Sequence, residues 1–339
     1  MVGSINIEAP SDLKLPFIDL SAEPDLKQGT PRWDSLKSQV RKALQDYGCF
    51  EASFDRVSSR LRTDVFGSLE DLFDLPLPTK QASFPPEAFP QGYLGRPPAN
   101  PFFESFGLND PHLLDVVQNF SDRLWPQGGN PSFSKNVHSM SKKVSELDQI
   151  VRTMILESFG LEKYVDEHMC FTNYHLRVMK YEVTVATSET ALDPKTGLKV
   201  HTDKSMITTL CQNEVDGLEL QNKRGEWVKF KPTSRSSFVV LVGDSLHAWL
   251  NGRVHCPDHR VWLCENDKLR YSFALFTRPK ADNTIKAPEE LIDEQHPLLF
   301  KPFTYKQLIA STFSQASLKD ASPLLSSFSN VQTQKGDLS

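Results

Sequence analysis

Paired cysteines, long apolar runs, blocks of one charge and glycine-rich linkers are all scarce in this sequence, and each shortage removes a class of protein. The five cysteines, Cys49, Cys170, Cys211, Cys256 and Cys264, are odd in number and form no CxxC pair. A disulfide scaffold or a cysteine zinc site is therefore not expected, whereas reduced thiols in a cytoplasmic protein are. The longest apolar stretches, such as Phe238 to Val242, fall far short of the roughly 20 residues that cross a bilayer. Lys and Arg number 38 against 43 Asp and Glu, a net charge of −5 with no long basic block, so nucleic acid is not an expected partner. The opening MVGSINIEAPSDLKLPF shows no charged and then apolar leader pattern, Gly3 is not next to the initiator Met, and KGDLS is no address tag. Secretion and lipid anchoring are not expected. Proline (23) outnumbers glycine (16), which favours fixed turns over flexible linkers. No internal repeat and no HExxH run occurs.

What remains is a chain of 339 residues, 39% hydrophobic and 24% charged, enough to bury a large core. Its first half reads mostly as helix. Thr30-Pro31 caps a helix running to Tyr47 with Leu36, Val40 and Leu44 on its apolar face, stopped by Gly48. Leu61, Val65, Leu69 and Leu72 mark a second helix, ended by Pro76 and Pro78. An irregular Pro- and Phe-rich stretch is expected from Phe84 to Phe106. A long stripe from Phe133 through Val137, Met140, Val144, Leu147 and Val151 to Met154 predicts a helix of about seven turns, laid against a sheet.

From about Thr172 the apolar period changes to two. It predicts strands over His175–Glu182, Lys199–Gln212, Gly217–Gln221, Glu226–Phe230, Ser237–Val242, His259–Cys264 and Arg270–Phe276, with a hairpin turn at Asn222–Gly225. Many short strands joined by turns imply an antiparallel sandwich or jelly roll. Helices are expected again over Pro288–Glu294 and Thr304–Phe313, followed by a Ser-rich, partly mobile tail from Gln315. The expected organisation is a mostly helical part over residues 1–165, a β core with a C-terminal helix over 166–315, and a tail over 316–339.

Most of the nine histidines offer no chemistry on this reading. His112, His138, His168 and His296 have no ligand type paired with them. His201 and Asp203 differ. On one continuous strand they would share a face with Ser205, Ile207 and Thr209, and an imidazole beside a carboxylate can hold one edge of a divalent metal. A third ligand must come from elsewhere, and His259, two hairpins on, is the candidate. Two histidines and one carboxylate make the facial triad of non-haem Fe(II) oxygenases. His255 competes with His259, but it follows the turn Asn251-Gly252-Arg253 and is expected nearer the loop edge.

The next strand adds an anion anchor. Arg270 and Ser272 share a face with Ala274 and Phe276, and a guanidinium on a buried face needs a partner. An internal carboxylate would satisfy it; so would the distal carboxylate of a dicarboxylate cosubstrate, with the Ser hydroxyl adding a bond. Upstream, Arg177, Met179 and Tyr181 alternate on one face. The Tyr181 hydroxyl could reach the same carboxylate, or simply bond to backbone.

The succession HTD, HRV, RYS resembles the plant-type 2-oxoglutarate- and Fe(II)-dependent dioxygenases. PFIDLS, YGCFEA, FDLPLPTK, GYLG, LRVMKYE, DGLELQNKRGEWV and VGDSLHAWLNGR are similar to landmarks of that family, from about Pro16 to Phe313. LRVMKY, HTDKSMITTL and WPQG resemble its AOP-like branch of specialised metabolism. The resemblance implies a double-stranded β-helix (jelly-roll) core with a helical N-terminal part. It implies His201, Asp203 and His259 as iron ligands, and Tyr181, Arg270 and Ser272 as contacts of 2-oxoglutarate. Met179 and Lys180 stand where the family usually has Asn and Tyr, so one cosubstrate contact is missing. Phe276, Phe106 and His247 match positions that can face substrate.

The implied reaction consumes O2, with ascorbate as reductant, and decarboxylates 2-oxoglutarate to succinate and CO2 while oxidising a substrate C–H bond. Hydroxylation, demethylation, desaturation and ring closure are all within that chemistry. The intact Asp203 argues against halogenation. An oxidase of the same fold with other cosubstrate needs, or a non-catalytic ligand-binding relative, are the alternatives. A monomer acting on a bulky, weakly charged small molecule is expected.

Overall fold

The computed structural model describes residues 13–21, 26–85, 90–95, 103–182, 196–263, 268–315 and 328–329. Its frame is an eight-stranded sheet of β1 (Phe17–Asp19), β2 (Cys49–Ser53), β3 (Gly92–Gly95), β4 (Phe103–Asn109), β5 (Thr172–Tyr181), β7 (Ile207–Gln212), β10 (Ser237–Val242) and β12 (Arg270–Pro279), in the order β1-β2-β10-β7-β12-β5-β4-β3. A four-stranded sheet, β6 (Thr196–His201), β11 (His259–Trp262), β8 (Leu218–Gln221) and β9 (Trp227–Lys229), lies in the order β6-β11-β8-β9. All pairings except β1 with β2 are antiparallel, and together the two sheets make the expected jelly roll.

Helices cover the outer face of the larger sheet. Helix α1 (Pro31–Asp46) starts where expected: Thr30 Oγ1 accepts the Trp33 N–H, and proline sits in the first turn. It stops at Gly48, whose φ of 70° is the left-handed conformation glycine adopts without strain. Helix α2 (Ser59–Phe73) is capped by Ser58. The long helix α5 (Pro131–Ser158) has 28 residues, about 42 Å of axis, and buries the predicted stripe against α1, α2, α4 (Leu114–Leu124) and the sheet. Two cores result. One fills the space between helices and large sheet, with Val144, Val151, Phe106, Val178 and Phe273. The other lies between the two sheets, with Met179, Tyr181, Leu210, Val239, Leu218, Leu220, Val261 and Ala274. Of the candidate site residues, Tyr181 belongs to the second and Phe276 packs against it.

The structure departs from the sequence reading in identifiable places. Lys199–Gln212 is two strands, not one: β6 belongs to the small sheet, β7 to the large one, and residues 202–206 turn between them. The stretch from Phe84 to Phe106 is not wholly irregular, because β3 and the start of β4 extend the sheet edge there. Pro76 and Pro78 do not merely end α2; they open a short helix α3 (Leu77–Ala82), since proline suits a first turn. Helix α4 carries a clear apolar stripe of Val117, Phe120 and Leu124 that the sequence reading passes over, whereas the short helix α7 (Asp244–Trp249) has too few residues to show one. Pro288–Glu294 forms only a three-ten turn at Glu289–Leu291, while the last predicted helix is present as α8 (Tyr305–Gln315). Cys264 and nearly all of the tail fall outside the described residues; Phe328 stacks on Phe303 with ring centres 4.4 Å apart.

Candidate active site

The candidate metal ligands meet where the sheets open. His201 ends β6 and His259 begins β11, and the two are direct cross-strand partners with ring centres 4.1 Å apart. Asp203 reaches them from the turn, not from a shared strand face as the alternation implied. Its Oδ1 lies 3.9 Å from His201 Nε2 and 3.7 Å from His259 Nε2. The three ligand atoms all fall within 4.8 Å of one another, close enough to share one ion.

Their outer bonds aim them. His201 Nδ1 sits 2.8 Å from the Lys199 carbonyl and His259 Nδ1 3.3 Å from the Pro257 carbonyl. A carbonyl can only accept, so each Nδ1 carries the proton and each Nε2 presents a lone pair inward, the arrangement typical of metal-binding histidines. Thr208 Oγ1 donates to Asp203 Oδ2 at 2.6 Å, which leaves Oδ1 turned toward the histidines. The turn itself is held by the Asp244 N–H donating to the Asp203 carbonyl at 2.8 Å and by Lys204 Nζ bridging Asp244 and Thr202. Burial, and then the neighbouring His259, lower the pKa of His201, though a third of its side chain still reaches solvent. The deprotonated form that can ligate is thus favoured.

A second cluster lies deeper between the sheets. Arg270 and Ser272 on β12 face Met179 and Tyr181 on β5, and all are buried. Arg270 Nη2 donates to Gln212 Oε1 at 2.9 Å, and its Nε and Nη1 have no hydrogen-bond partner among the described residues. Ser272 Oγ is likewise unpartnered. The Tyr181 hydroxyl lies 3.3 Å from the Met179 sulfur and beside the Arg270 and Ser272 side chains, and its ring lies 5.0 Å from the Arg270 guanidinium. Among the described residues no carboxylate pairs with Arg270, so the internal-bridge alternative does not apply. Burial lowers the Arg270 pKa and raises that of Tyr181. Buried polar atoms left unsatisfied are costly, and here several converge on a space that a carboxylate would satisfy.

The remaining candidates separate. Phe276 stands on the inner face of β12, between His175 of β5 and Thr208 of β7. Phe106 does not: strand alternation turns it to the helix side, where its ring packs 5.1 Å from Tyr93, 5.7 Å from Phe73 and 5.9 Å from Phe120. It is a core residue, and its expected substrate contact is corrected. His247 on α7 bonds through Nδ1 to the Val254 carbonyl at 2.6 Å and packs on Phe300; among the described residues it makes no contact with the triad. His255 reaches the Gln221 carbonyl at the loop edge. Sequence reasoning missed Thr208 and Gln212 because it placed Ile207 and Thr209, not Thr208, on the inner face. An alternation restarted at residue 207 would have found both.

A facial cluster of two histidines and an aspartate beside an unsatisfied buried arginine, in a jelly roll, defines a non-haem oxygenase site. Residues 167–279 match the model of the 2OG-Fe(II) oxygenase superfamily, and residues 15–99 match that of the non-haem dioxygenase in morphine synthesis N-terminal region. The chain belongs to the 2OG-Fe(II) oxygenase superfamily, and is a 2-oxoglutarate-dependent dioxygenase that uses Fe(II). It is 48% identical over 296 residues to the probable 2-oxoglutarate-dependent dioxygenase AOP1 of Arabidopsis thaliana, covering 87% of this chain and 95% of that one. The rice dioxygenase for auxin oxidation superposes with a TM-score of 0.76 at 30% identity, covering 93% of this chain and all of the other. The Arabidopsis thaliana dioxygenase for auxin oxidation 1, in its 2-oxoglutarate complex, gives a TM-score of 0.72 at 26% identity over 84% of this chain and all of that one.

Proposed function

We propose that His201, Asp203 and His259 ligate the iron, that Arg270, Ser272 and Tyr181 hold the distal carboxylate of 2-oxoglutarate, and that Phe276 borders the substrate. The carrying observation is the set of buried donors at Arg270 and Ser272 that have no partner among the described residues, on the large sheet, facing the inter-sheet space that the histidine–aspartate cluster borders from the small sheet. Bound iron with 2-oxoglutarate supplies O2 activation, coupling formation of succinate and CO2 to oxidation of a substrate C–H bond. The protein's own part is positional. Thr208 fixes the Asp203 carboxylate, the Lys199 and Pro257 carbonyls fix the imidazoles, and Arg270 fixes the far end of the cosubstrate. The apolar inter-sheet core of Leu210, Leu218 and Val261 excludes water around it.

We further infer a substrate from plant specialised metabolism, supported by the likeness to AOP1, and a monomeric, cytoplasmic protein. No helix among the described residues is long and apolar enough to cross a membrane, and the four described cysteines are free. We retain the division into an N-terminal part over 1–165, an oxygenase core over 166–315 and a tail over 316–339. Succinate release from 2-oxoglutarate with Fe(II), ascorbate and O2, over a panel of plant metabolites, tests the activity. Product mass separates hydroxylation from demethylation and desaturation. His201→Ala and Arg270→Ala are each expected to abolish substrate-stimulated release; full activity in either would overturn the assignment.

A further inference from the structure

The inner face of β12 carries a second arginine. Arg270 and Arg278 are eight residues apart on the same side of one strand, about 26 Å along it, with Phe276 between. Arg278 is half-buried. Its Nη2 donates to Asn109 Oδ1 at 2.8 Å, and it lies beside the Tyr305 hydroxyl. Both partners are neutral. Among the described residues no carboxylate lies within ion-pairing distance, the nearest influence being the charge of Asp110. Unlike Arg270, Arg278 has no buried nitrogen without a bond, but a partly desolvated guanidinium with no counter-charge among the described residues favours an anionic partner.

Its surroundings lead toward the metal cluster. His175, Phe276 and Thr208 occupy one row across β5, β12 and β7, about 10 Å from end to end, and Thr208 bonds Asp203. Tyr305, the partner of Arg278, feels the charge of Asp203. Arg177, one step along β5 on the same face, bonds Ser105 Oγ at 2.8 Å and the Pro90 carbonyl at 3.1 Å and adds its positive charge to that of Arg278. Asn109 Oδ1 accepts from Arg278, so it also accepts from His175 Nδ1 at 2.7 Å. His175 Nε2 is then a buried acceptor with no partner. This end of the site combines cationic donors with one free acceptor.

We infer that the primary substrate carries an acidic group, a carboxylate or a sulfate, that pairs with Arg278 beyond Phe276 while the reacting C–H bond lies over the metal cluster. Arg278 would fix which carbon is presented, as a charge-assisted clamp does, and the expected weakly charged substrate is replaced by an anion. This rests on the dioxygenase reading above and deepens it.

The test uses the full chain and a panel of plant acids, carboxylates and sulfate esters, each carboxylate paired with its methyl ester and each sulfate with the parent alcohol. Turnover is read as product formation coupled to succinate. Binding is read from the absorption bands of the Co(II)-substituted, 2-oxoglutarate-loaded protein. Acids are expected to be converted and their masked forms not. Arg278→Gln should weaken binding of the converted acid about tenfold or more, with Arg278→Lys recovering part of it and folding confirmed by circular dichroism. The affinity for 2-oxoglutarate is measured in the same titration, and the loss should fall on the acid. Masked or neutral compounds converted as well as the acids, or acid binding unchanged in folded Arg278→Gln, would overturn the inference. Iron-dependent 2-oxoglutarate consumption without organic substrate tests the parent reading separately; its absence in metal-loaded protein would overturn that reading instead.

Discussion

Single side chains in this site matter through where their second atom is tied. Asp203 contributes one oxygen to the cluster and gives the other to Thr208 at 2.6 Å. Thr208→Val keeps the shape and removes the donor, leaving the carboxylate free to rotate. Metal affinity, followed by Co(II) titration, is expected to fall roughly tenfold to a hundredfold, the usual cost of losing a bond behind a ligand, while thermal stability changes little. Unchanged affinity would show that the turn alone orients Asp203. His201, Asp203, His259, Arg270 and Ser272 were all visible in the sequence as pattern. Thr208 and Gln212 were not, because their inward orientation depends on where a strand restarts.

Elements act by how closely one approaches another. The chain entering β8 passes Arg270 so tightly that a Cβ on Gly217 would stand 3.1 Å from its Cδ and 3.2 Å from its Nε. Gly217→Val is therefore expected to displace the guanidinium and raise the KM for 2-oxoglutarate several-fold, leaving Co(II) affinity as in the unaltered protein. Equal effects on both would indicate general loosening of the small sheet. At the opposite end of the fold, Thr30→Ala removes the side-chain acceptor that caps α1 and should cost about 1 kcal/mol of stability in urea unfolding with no effect on either ligand. Helices with strong stripes were legible from spacing. Helix α7 and the three-ten turn were not, because short elements owe their shape to the neighbours they pack on; the stripe of α4, by contrast, was present in the spacing of Val117, Phe120 and Leu124 and was overlooked.

Across the whole molecule, burial couples folding to pH. His168 is buried and accepts from Arg152 in a network with Asp148 and Tyr174. Burial foremost, and then Arg152, push its pKa well below the ordinary value, and His175 is shifted the same way by burial and by Arg278 and Arg177. The unfolded chain therefore binds more protons than the folded one below about pH 6.5. Stability from these groups is fully present above that pH and is lost as pH falls, by up to about 1.4 kcal/mol per unit for each histidine. Urea midpoints are expected to decline from pH 7 to pH 5, and His168→Gln should flatten part of that decline. A midpoint independent of pH would contradict the buried neutral state.

Local pattern was sufficient to single out His201, Asp203 and His259 as a cluster, Arg270 as a guanidinium in want of a partner, the long helix and the β core, because residue types at fixed spacing report on periodicity and chemistry without needing the fold. Folding alone settled the rest. Asp203 meets the histidines through a turn between two sheets, Phe106 falls on the helix side of β4, and Arg278 has, among the described residues, only neutral partners. Each is a matter of which face a strand presents and what lies across from it, and those are long-range facts: a one-residue shift in alternation reverses every side chain, and nothing near it in the chain records the choice.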